Sequence, residues 1–131
     1  MQDPVSAILR DKGSKVEQVS AREMVLDAVQ RMNRASIGSL VVVDGVRPVG
    51  IFTERDVLTR VVAARLDPAT TPIAEVMTRE VVAIGPNTTV QDAMMLVTER
   101  RLRHLPVVDE GRLLGLVSIG DLTRWVVRDQ Q

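Results

Sequence analysis

Two short apolar runs decide the fold: Leu40-Val41-Val42-Val43-Asp44 and Leu105-Pro106-Val107-Val108-Asp109. They lie 65 positions apart, and each ends in an aspartate that is followed within two residues by a glycine. When the sequence is shifted by 65 positions, residues 16–60 align with residues 81–125 without a gap. Pairs that are identical at this offset include Val25 with Val90, Ala28 with Ala93, Leu40 with Leu105, Arg47 with Arg112, Gly50 with Gly115 and Asp56 with Asp121. The chain is therefore an internal duplication.

Each copy predicts the element order β-α-β-β-α. Short apolar runs predict first strands at Val16–Val19 and Val81–Ile84. Two residue pairs then have the spacing of a capping box, Ser20 with Glu23 and Thr88 with Gln91, and each pair predicts the start of a helix. The two remaining strands of each copy are separated by turn signals, Asp44-Gly45 in the first copy and Asp109-Glu110-Gly111 in the second. An amphipathic helix closes each copy.

Ahead of each copy lies a short apolar segment, Val5–Leu9 in the first and Ile73–Met77 in the second. We call these the leading segments. The predicted boundaries are a first repeat over residues 1–66, a linker over 67–72 and a second repeat over 73–131. A single repeat of about 60 residues buries little surface, so we expect the two repeats to form one compact module.

The composition excludes several classes of function. The 131 residues are 45% hydrophobic and carry 17 Lys and Arg, 17 Asp and Glu, and no cysteine. Zero net charge argues against a protein that coats nucleic acid or an anionic membrane, and the lack of cysteine excludes disulfides and thiol nucleophiles. No apolar run approaches the length of about 20 residues that spans a bilayer, and no secretory leader is evident, so we expect a cytoplasmic protein.

Catalytic patterns are missing from the sequence. No phosphate-binding Walker loop, dinucleotide fingerprint, metal-ligand spacing or nucleophile with a matching base occurs. The only basic cluster is Arg100-Arg101-Leu102-Arg103-His104. Arg100 and Arg101 are as typical of a solvated helix C-terminus as of a binding site, whereas Arg103 and His104 are better ligand candidates. We therefore predict that the protein is not an enzyme, has no catalytic residues and holds no metal.

The strand-to-helix junction of each copy carries one repeated pattern, Gly-x-x-(Thr/Ser)-x-x-Asp. It runs from Gly50 to Asp56 in the first copy and from Gly115 to Asp121 in the second, and we call it the junction motif. Its hydroxyl lies at a predicted helix N-terminus, which favours a phosphate, and an ionised aspartate can accept hydrogen bonds from both ribose hydroxyls. The same pairs, Thr53 with Asp56 and Ser118 with Asp121, are also good helix caps that need no ligand.

As a set, the two junction motifs, the two Val-Val-Asp strands and the second leading segment with Thr78 resemble a CBS-domain pair, also called a Bateman module. The resemblance covers the chain from Val5 to about Arg128. It implies an α/β (α+β) fold of two tandem β-α-β-β-α CBS repeats, packed sheet-to-sheet with pseudo-two-fold symmetry. It also implies adenosyl ligands, commonly AMP, ADP or ATP and sometimes NAD(H) or S-adenosylmethionine, held in clefts shared between the repeats.

Carried over residue by residue, the resemblance predicts two nucleotide sites. One site combines Ile51, Thr53, Arg55 and Asp56 with Leu102, Arg103, His104 and Pro106. The other combines Leu116, Ser118, Gly120 and Asp121 with Ile37, Gly38 and Ser39. Because Arg55 is matched by Gly120, we expect the first site to accept more phosphate charge than the second.

The leading functional hypothesis is a non-catalytic signal-sensing module that binds an adenine nucleotide and passes the change to a separate target protein. The resemblance implies a homodimer, so the first alternative is a scaffold that dimerises or binds partners without any ligand. Nucleic-acid binding through Arg100–Arg103 is the second alternative, disfavoured by zero net charge and few aromatic residues. We expect no nucleic-acid or membrane partner.

Overall fold

The computed structural model describes residues 2–13, 16–79 and 81–129. The helices and strands, in chain order, are α1 (Val5–Lys12), β1 (Gln18–Ser20), α2 (Val25–Ala35), β2 (Ser39–Asp44), β3 (Arg47–Thr53), α3 (Glu54–Asp56, continued by a π-helical stretch Val57–Val62), a 3₁₀ turn (Ile73–Glu75), α4 (Val90–Arg100), β4 (His104–Asp109), β5 (Arg112–Ser118) and α5 (Ile119–Asp129). In the described residues, this mixture of two sheets and five α-helices confirms the α+β class, and the predicted order β-α-β-β-α is found in full in the first repeat.

The chain divides into two compact units. The first-repeat unit is Glu17–Val81, and the second-repeat unit is Met1–Val16 together with Val82–Gln131. These bounds differ from the predicted sequence repeats because each leading segment packs in the unit of the other repeat. In α1, Val5, Ile8 and Leu9 are buried in the core of the second-repeat unit. In the other leading segment, the side chain of Ile73 is buried in the core of the first-repeat unit.

The first-repeat unit is built on a three-stranded sheet with the order β1-β2-β3. β1 runs parallel to β2, and β2 forms an antiparallel hairpin with β3 through the predicted Asp44-Gly45 turn, where Gly45 has a φ of 67°. Phe52 and Leu40 are fully buried, and α2 covers them with Ala28 and Met32. Apolar residues at helical spacing on α2 therefore form its buried face.

The segment between the repeats is part of this unit. The backbone N–H of Val25 donates to the carbonyl of Thr71 at 2.9 Å, and that of Leu26 donates to the carbonyl of Pro68 at 2.9 Å. These bonds satisfy two of the N–H groups that the start of α2 leaves without helical partners. The predicted linker, residues 67–72, thus acts as the N-terminal cap of α2.

The predicted capping boxes are displaced from the helix starts. Ser20 and Glu23 do bond, with the Ser20 N–H donating to Glu23 Oε2 at 2.7 Å, but α2 begins five residues after Ser20, at Val25. In the second repeat the cap is Thr89 rather than Thr88, and its hydroxyl accepts from the N–H of Asp92 at 3.1 Å. The predicted side-chain cap of α2 is therefore wrong, since Met24 precedes the helix and the carbonyls of distant residues accept from its first N–H groups, whereas the predicted cap of α4 is misplaced by one residue.

The predicted strand Val81–Ile84 is also wrong. The second-repeat unit has a two-stranded sheet, β4-β5, and only an isolated parallel bridge joins Ile84 to Val107. The Ile84 N–H donates to the Pro106 carbonyl at 2.9 Å, and the Val108 N–H donates to the Ile84 carbonyl at 2.8 Å. This bridge stands where β1 pairs with β2 in the first repeat.

Two prolines explain why the bridge does not extend into a strand. In the first repeat, the N–H groups of Val41 and Ala21 flank the β1–β2 pairing with hydrogen bonds of 3.2 and 3.1 Å. Their counterparts 65 positions later are Pro106 and Pro86, which have no N–H to donate. The second repeat therefore follows the same chain path as the first, but it lacks the continuous hydrogen bonding that makes β1 a strand.

Candidate functional site

The structure places the predicted site residues in two groups, one in each unit. Ile37, Gly38, Ser39, Ile51, Thr53, Arg55 and Asp56 lie in the first-repeat unit, and Leu102, Arg103, His104, Pro106, Leu116, Ser118, Gly120 and Asp121 lie in the second-repeat unit. Within each unit the hairpin brings the segment before the central strand beside the junction motif, pairing Ser39 with Thr53 and His104 with Ser118. The combination of segments from different repeats stays a prediction.

Backbone hydrogen bonds lock each junction to its neighbouring segment. The N–H of Glu54 donates to the carbonyl of Gly38 at 3.0 Å, and the N–H of Ile119 donates to the carbonyl of Arg103 at 2.9 Å. These are the first N–H groups of α3 and α5, which the sequence had assigned to a phosphate. The junction therefore uses them internally.

Asp56 is a nearly buried carboxylate, with 6% of its surface exposed. Its Oδ2 accepts from the Thr53 N–H at 3.0 Å, while the Asp56 N–H donates back to Thr53 Oγ1 at 3.2 Å. The Thr78 hydroxyl lies 3.3 Å from Oδ1, and Arg60 Nε lies 3.6 Å from the same oxygen. Asp56 thus completes a capping box, as the ligand-free interpretation predicted, and its Oδ1 has the longer contacts.

Asp121 occupies the matching position with a different set of partners. Its Oδ2 accepts from the Ser118 N–H at 2.9 Å, and its own N–H donates to Ser118 Oγ at 3.0 Å. Two cations also form ion pairs with the Asp121 carboxylate: Lys12 Nζ lies 2.7 Å from Oδ2, and Arg124 Nη2 lies 2.8 Å from Oδ1. Where Asp56 contacts the Thr78 hydroxyl, Asp121 instead forms two close ion pairs.

The charge around the two carboxylates differs between the repeats. Arg55 is exposed, and the carboxylate beside it carries one long contact to Arg60. Asp121, next to the neutral Gly120, has two cations within 3 Å. The expected preference of the first site for phosphate charge concerned sites that combine segments of both repeats, and it stays a prediction.

The residues that contact the two carboxylates and that the sequence analysis did not assign to a site come from the segments that precede the repeats and from the helices that close them. Lys12 follows the first leading segment, and Thr78 follows the second. Arg60 and Arg124 lie one turn after the aspartates that they contact. The spacing of four and three residues from the aspartates was a usable signal for the two arginines. No sequence signal connects Lys12 with a residue 109 positions away.

The glycines of the junction motifs serve packing within each unit. A Cβ atom on Gly50 would lie 2.6 Å from Met77 Sδ and 2.9 Å from the backbone oxygen of Thr78. A Cβ atom on Gly115 would lie 2.6 Å from a methyl carbon of Leu9. In both units the leading segment thus lies closely against the glycine of the junction motif.

An open groove of about 830 Å³ lies between α2 and α3 in the first-repeat unit. Two predicted site residues, Ile37 and Gly38, line it together with Met32, Val57 and Leu58. Gly38 has little free space, since a Cβ atom there would lie 3.2 Å from Glu54 Cδ. The segment of this repeat that was predicted to contact a nucleotide, residues 37–39, therefore borders a largely apolar groove.

His104 is half-buried at the start of β4, and this location affects its titration. Burial lowers the pKa of His104 below its ordinary value; the Asp121 carboxylate opposes this shift, and the charges of Lys12 and Arg103 add to it. The unfolded chain therefore takes up the proton more readily than the folded one. We predict that the free energy of unfolding decreases as the pH falls below about 6.5, until the folded histidine is also protonated.

This pH dependence is measured by urea unfolding of the wild-type protein and of His104→Gln between pH 7.5 and 5. Asp121, whose burial raises its pKa but whose bonds to Lys12 and Ser118 lower it overall, affects stability only at more acidic pH. The variant is expected to show a flatter profile in this window. Parallel profiles would contradict the assignment.

Within residues 2–13, 16–79 and 81–129, no group of three or more His, Cys, Asp or Glu side chains is arranged to hold a metal ion. None of the helices in those ranges combines the length and hydropathy required to cross a bilayer.

Comparisons with known proteins identify the family. A family profile described as "CBS domain" matches residues 5–63 and 73–128. The mitochondrial CBS domain-containing protein CBSX3 of Arabidopsis thaliana is 33% identical over 97% of this chain, which spans 66% of that protein. A Burkholderia ambifaria structure of a protein with CBS domains, proposed to act in signal transduction, is 42% identical, covers 98% of this chain and 96% of its own, and has a TM-score of 0.88.

A hexameric CBS-CP12 protein from bloom-forming cyanobacteria is 29% identical with a TM-score of 0.82, and the match covers 94% of this chain and 67% of that one. The two profile matches coincide with the duplicated halves, and the matched structures share their fold. The chain is therefore a pair of CBS domains and belongs to the CBS-domain family of regulatory and signalling modules.

Proposed function

We propose that this chain is a non-catalytic sensor whose two repeats bind adenine nucleotides, AMP, ADP, ATP or NAD(H), and that Asp56 and Asp121 accept hydrogen bonds from the ribose hydroxyls. The observation that carries the proposal is the repeated, nearly buried carboxylate at the same junction of both units. Most of the aligned positions differ between the repeats, but this carboxylate and its hydroxyl partner are present in both.

The capping bonds leave these carboxylates able to bind a ligand. An ionised carboxylate has about four acceptor positions, and the cap at Asp56 uses the Oδ2 atom. Oδ1 contacts Thr78 at 3.3 Å and Arg60 at 3.6 Å, which are long for hydrogen bonds to a charged group. A ribose hydroxyl would replace these contacts with a shorter bond while the cap holds the carboxylate in place.

The test is a thermal-shift and calorimetry series with AMP, ADP, ATP, NADH and S-adenosylmethionine. A nucleotide that binds the folded state raises its melting temperature in proportion to the logarithm of its concentration above Kd. We expect Asp56→Asn and Asp121→Asn each to weaken one binding step about tenfold or more, since hydrogen bonds to a charged group are the strong ones. Asparagine keeps an oxygen that can accept the Thr53 or Ser118 N–H, so the cap is preserved.

Asp109→Asn is the matched control, because it removes the same charge at the exposed end of β4. It should bind nucleotides like the wild-type protein. If millimolar nucleotide shifts no melting temperature, or if the Asp56 and Asp121 variants bind as tightly as this control, the ribose role is refuted.

The second candidate function is a ligand-independent scaffold that forms a homodimer. It is favoured by exposed apolar side chains on the π-helical stretch after α3, where Leu58 and Val62 are 64% and 63% exposed beside the groove of the first-repeat unit. The cyanobacterial CBS-CP12 protein is hexameric, which is in line with self-association. Light scattering on the wild-type protein and on Leu58→Glu distinguishes the scaffold from the sensor. A scaffold is dimeric as the wild-type protein and monomeric as the variant, and added nucleotide leaves the mass of both unchanged.

A further inference from the structure

We propose that Lys12 is a tethered competitor: its ammonium occupies the Asp121 carboxylate, so that the second-repeat unit accepts a nucleotide hydroxyl there only after Lys12 has been displaced. The inference rests on the proposed function and deepens it, since it gives the two carboxylates different ligand affinities. It begins from the contact of Lys12 Nζ with Asp121 Oδ2 at 2.7 Å.

Lys12 makes two bonds at this place, both to groups of the predicted site. Besides the carboxylate, its ammonium donates to the backbone carbonyl of Leu116 at 3.0 Å. Leu116 and Asp121 belong to the same junction motif, and both were predicted to contact a ligand. The lysine therefore uses the polar atoms that a nucleoside would need, and it does so as a cation, which forms the stronger kind of hydrogen bond with a carboxylate.

The helix that carries Lys12 is anchored to the same unit. Leu9 packs against Gly115, and the Asp3 carboxylate that precedes α1 accepts from Trp125 Nε1 at 3.0 Å. Asp11, next to Lys12, forms a 2.6 Å ion pair with Arg128 of α5. These contacts keep the end of α1 beside the junction motif, so the ammonium is present at a high effective concentration.

In the described part of the first-repeat unit, the only ion pair of Asp56 is the long contact with Arg60, whose Nε lies 3.6 Å from Oδ1. There the segment that follows its own packed leading segment contributes the neutral Thr78 hydroxyl, 3.3 Å from Asp56 Oδ1. Displacing this hydroxyl breaks no ion pair, and the Arg60 contact is weaker than the 2.7 Å pair of Lys12 because it is longer. A ligand hydroxyl thus displaces weaker partners at Asp56 than at Asp121.

When Lys12 occupies the carboxylate, the apparent affinity of a ligand equals the intrinsic affinity multiplied by the fraction of molecules in which the carboxylate is free. Lys12 is 40% exposed, so its ion pair is screened and the effect is moderate. We expect Lys12→Met to strengthen nucleotide binding at Asp121 by about threefold to tenfold. Methionine keeps the length of the side chain and removes the charge.

The experiment compares AMP binding by calorimetry in the Asp56→Asn background, alone and with Lys12→Met or Arg10→Met added. Arg10 is an exposed cation on the same helix. Its substitution changes the net charge equally and is expected to leave the affinity unchanged. The proposal is supported when only Lys12→Met strengthens binding, and it is overturned when that variant binds AMP equally or more weakly.

Failure of the competitor can be told apart from failure of the proposed function. If the wild-type protein binds none of the nucleotides, the proposed function fails and the competitor falls with it. If the wild-type protein binds AMP but Lys12→Met does not strengthen binding in the Asp56→Asn background, only the competitor is refuted. An NMR titration of the ligand-free protein adds a separate check, since loss of Lys12 should raise the pKa of the Asp121 carboxyl.

Discussion

Replacing Ile8 by alanine is expected to lower the free energy of unfolding of the second-repeat unit by about 3 kcal/mol, as is usual when a buried isoleucine is truncated and leaves a cavity. Ile8 is 3% exposed on α1 and belongs to the core cluster that includes Leu105, Val117 and Leu122. The size of the effect follows from the exchange of the leading segments, which makes the first helix of the chain a core element of the second repeat.

The measurement is urea unfolding followed by the fluorescence of Trp125, the one tryptophan of the sequence. Trp125 belongs to the same unit and its ring nitrogen donates to Asp3, just before α1. The control is Arg10→Ala, an exposed change on the same helix that should alter stability by less than about 0.5 kcal/mol. Equal effects of the two substitutions would show that α1 does not pack in this core.

Replacing Gly50 by alanine is expected to destabilise the first-repeat unit by about 2–3 kcal/mol through overpacking. The added methyl carbon would lie 2.9 Å from the Thr78 backbone oxygen, closer than Cβ atoms in proteins approach other heavy atoms. That oxygen cannot yield easily, because it accepts from the Ile51 N–H at 2.9 Å and the Thr78 N–H donates to the Ile51 carbonyl at the same distance.

The matched variant is Gly115→Ala, at the same position of the second repeat. There the methyl group would meet the side-chain carbons of Leu9, which can adopt another rotamer, rather than backbone. We expect a smaller loss, of about 1 kcal/mol. Circular dichroism during urea unfolding measures both variants, and a larger loss for Gly115→Ala would contradict the role assigned to the Thr78 backbone.

The local features of the fold were predictable because they repeat. The hairpin strands around Val42 and Val107, the turns at Gly45 and Gly111 and the buried faces of α2 and α4 all follow from periodicity and turn chemistry within about 20 neighbouring residues. The capping role of the junction motif was one of two interpretations that the pattern allowed, and the structure confirms it for both repeats.

The incorrect predictions share a physical cause. Thr88 and Ser20 have the spacing of helix caps, but the starts of α4 and α2 are positioned by hydrogen bonds from distant segments. Val82 and Ile84 have the pattern of a strand, but Pro86 and Pro106 remove the donors that a ladder needs. In each case a partner remote in sequence decided between local alternatives of similar energy.

The sequence by itself determined the duplication, the order of elements, the two hairpins and the two junction aspartates. Those properties depend on the spacing of apolar residues and on turn residues that act over one or two turns of chain. Only the tertiary structure decided which unit each leading segment joins, that Thr78 contacts Asp56, and that Lys12 contacts Asp121 across 109 positions. The reason is that such contacts depend on packing between segments far apart in the chain, which no local pattern of residues encodes.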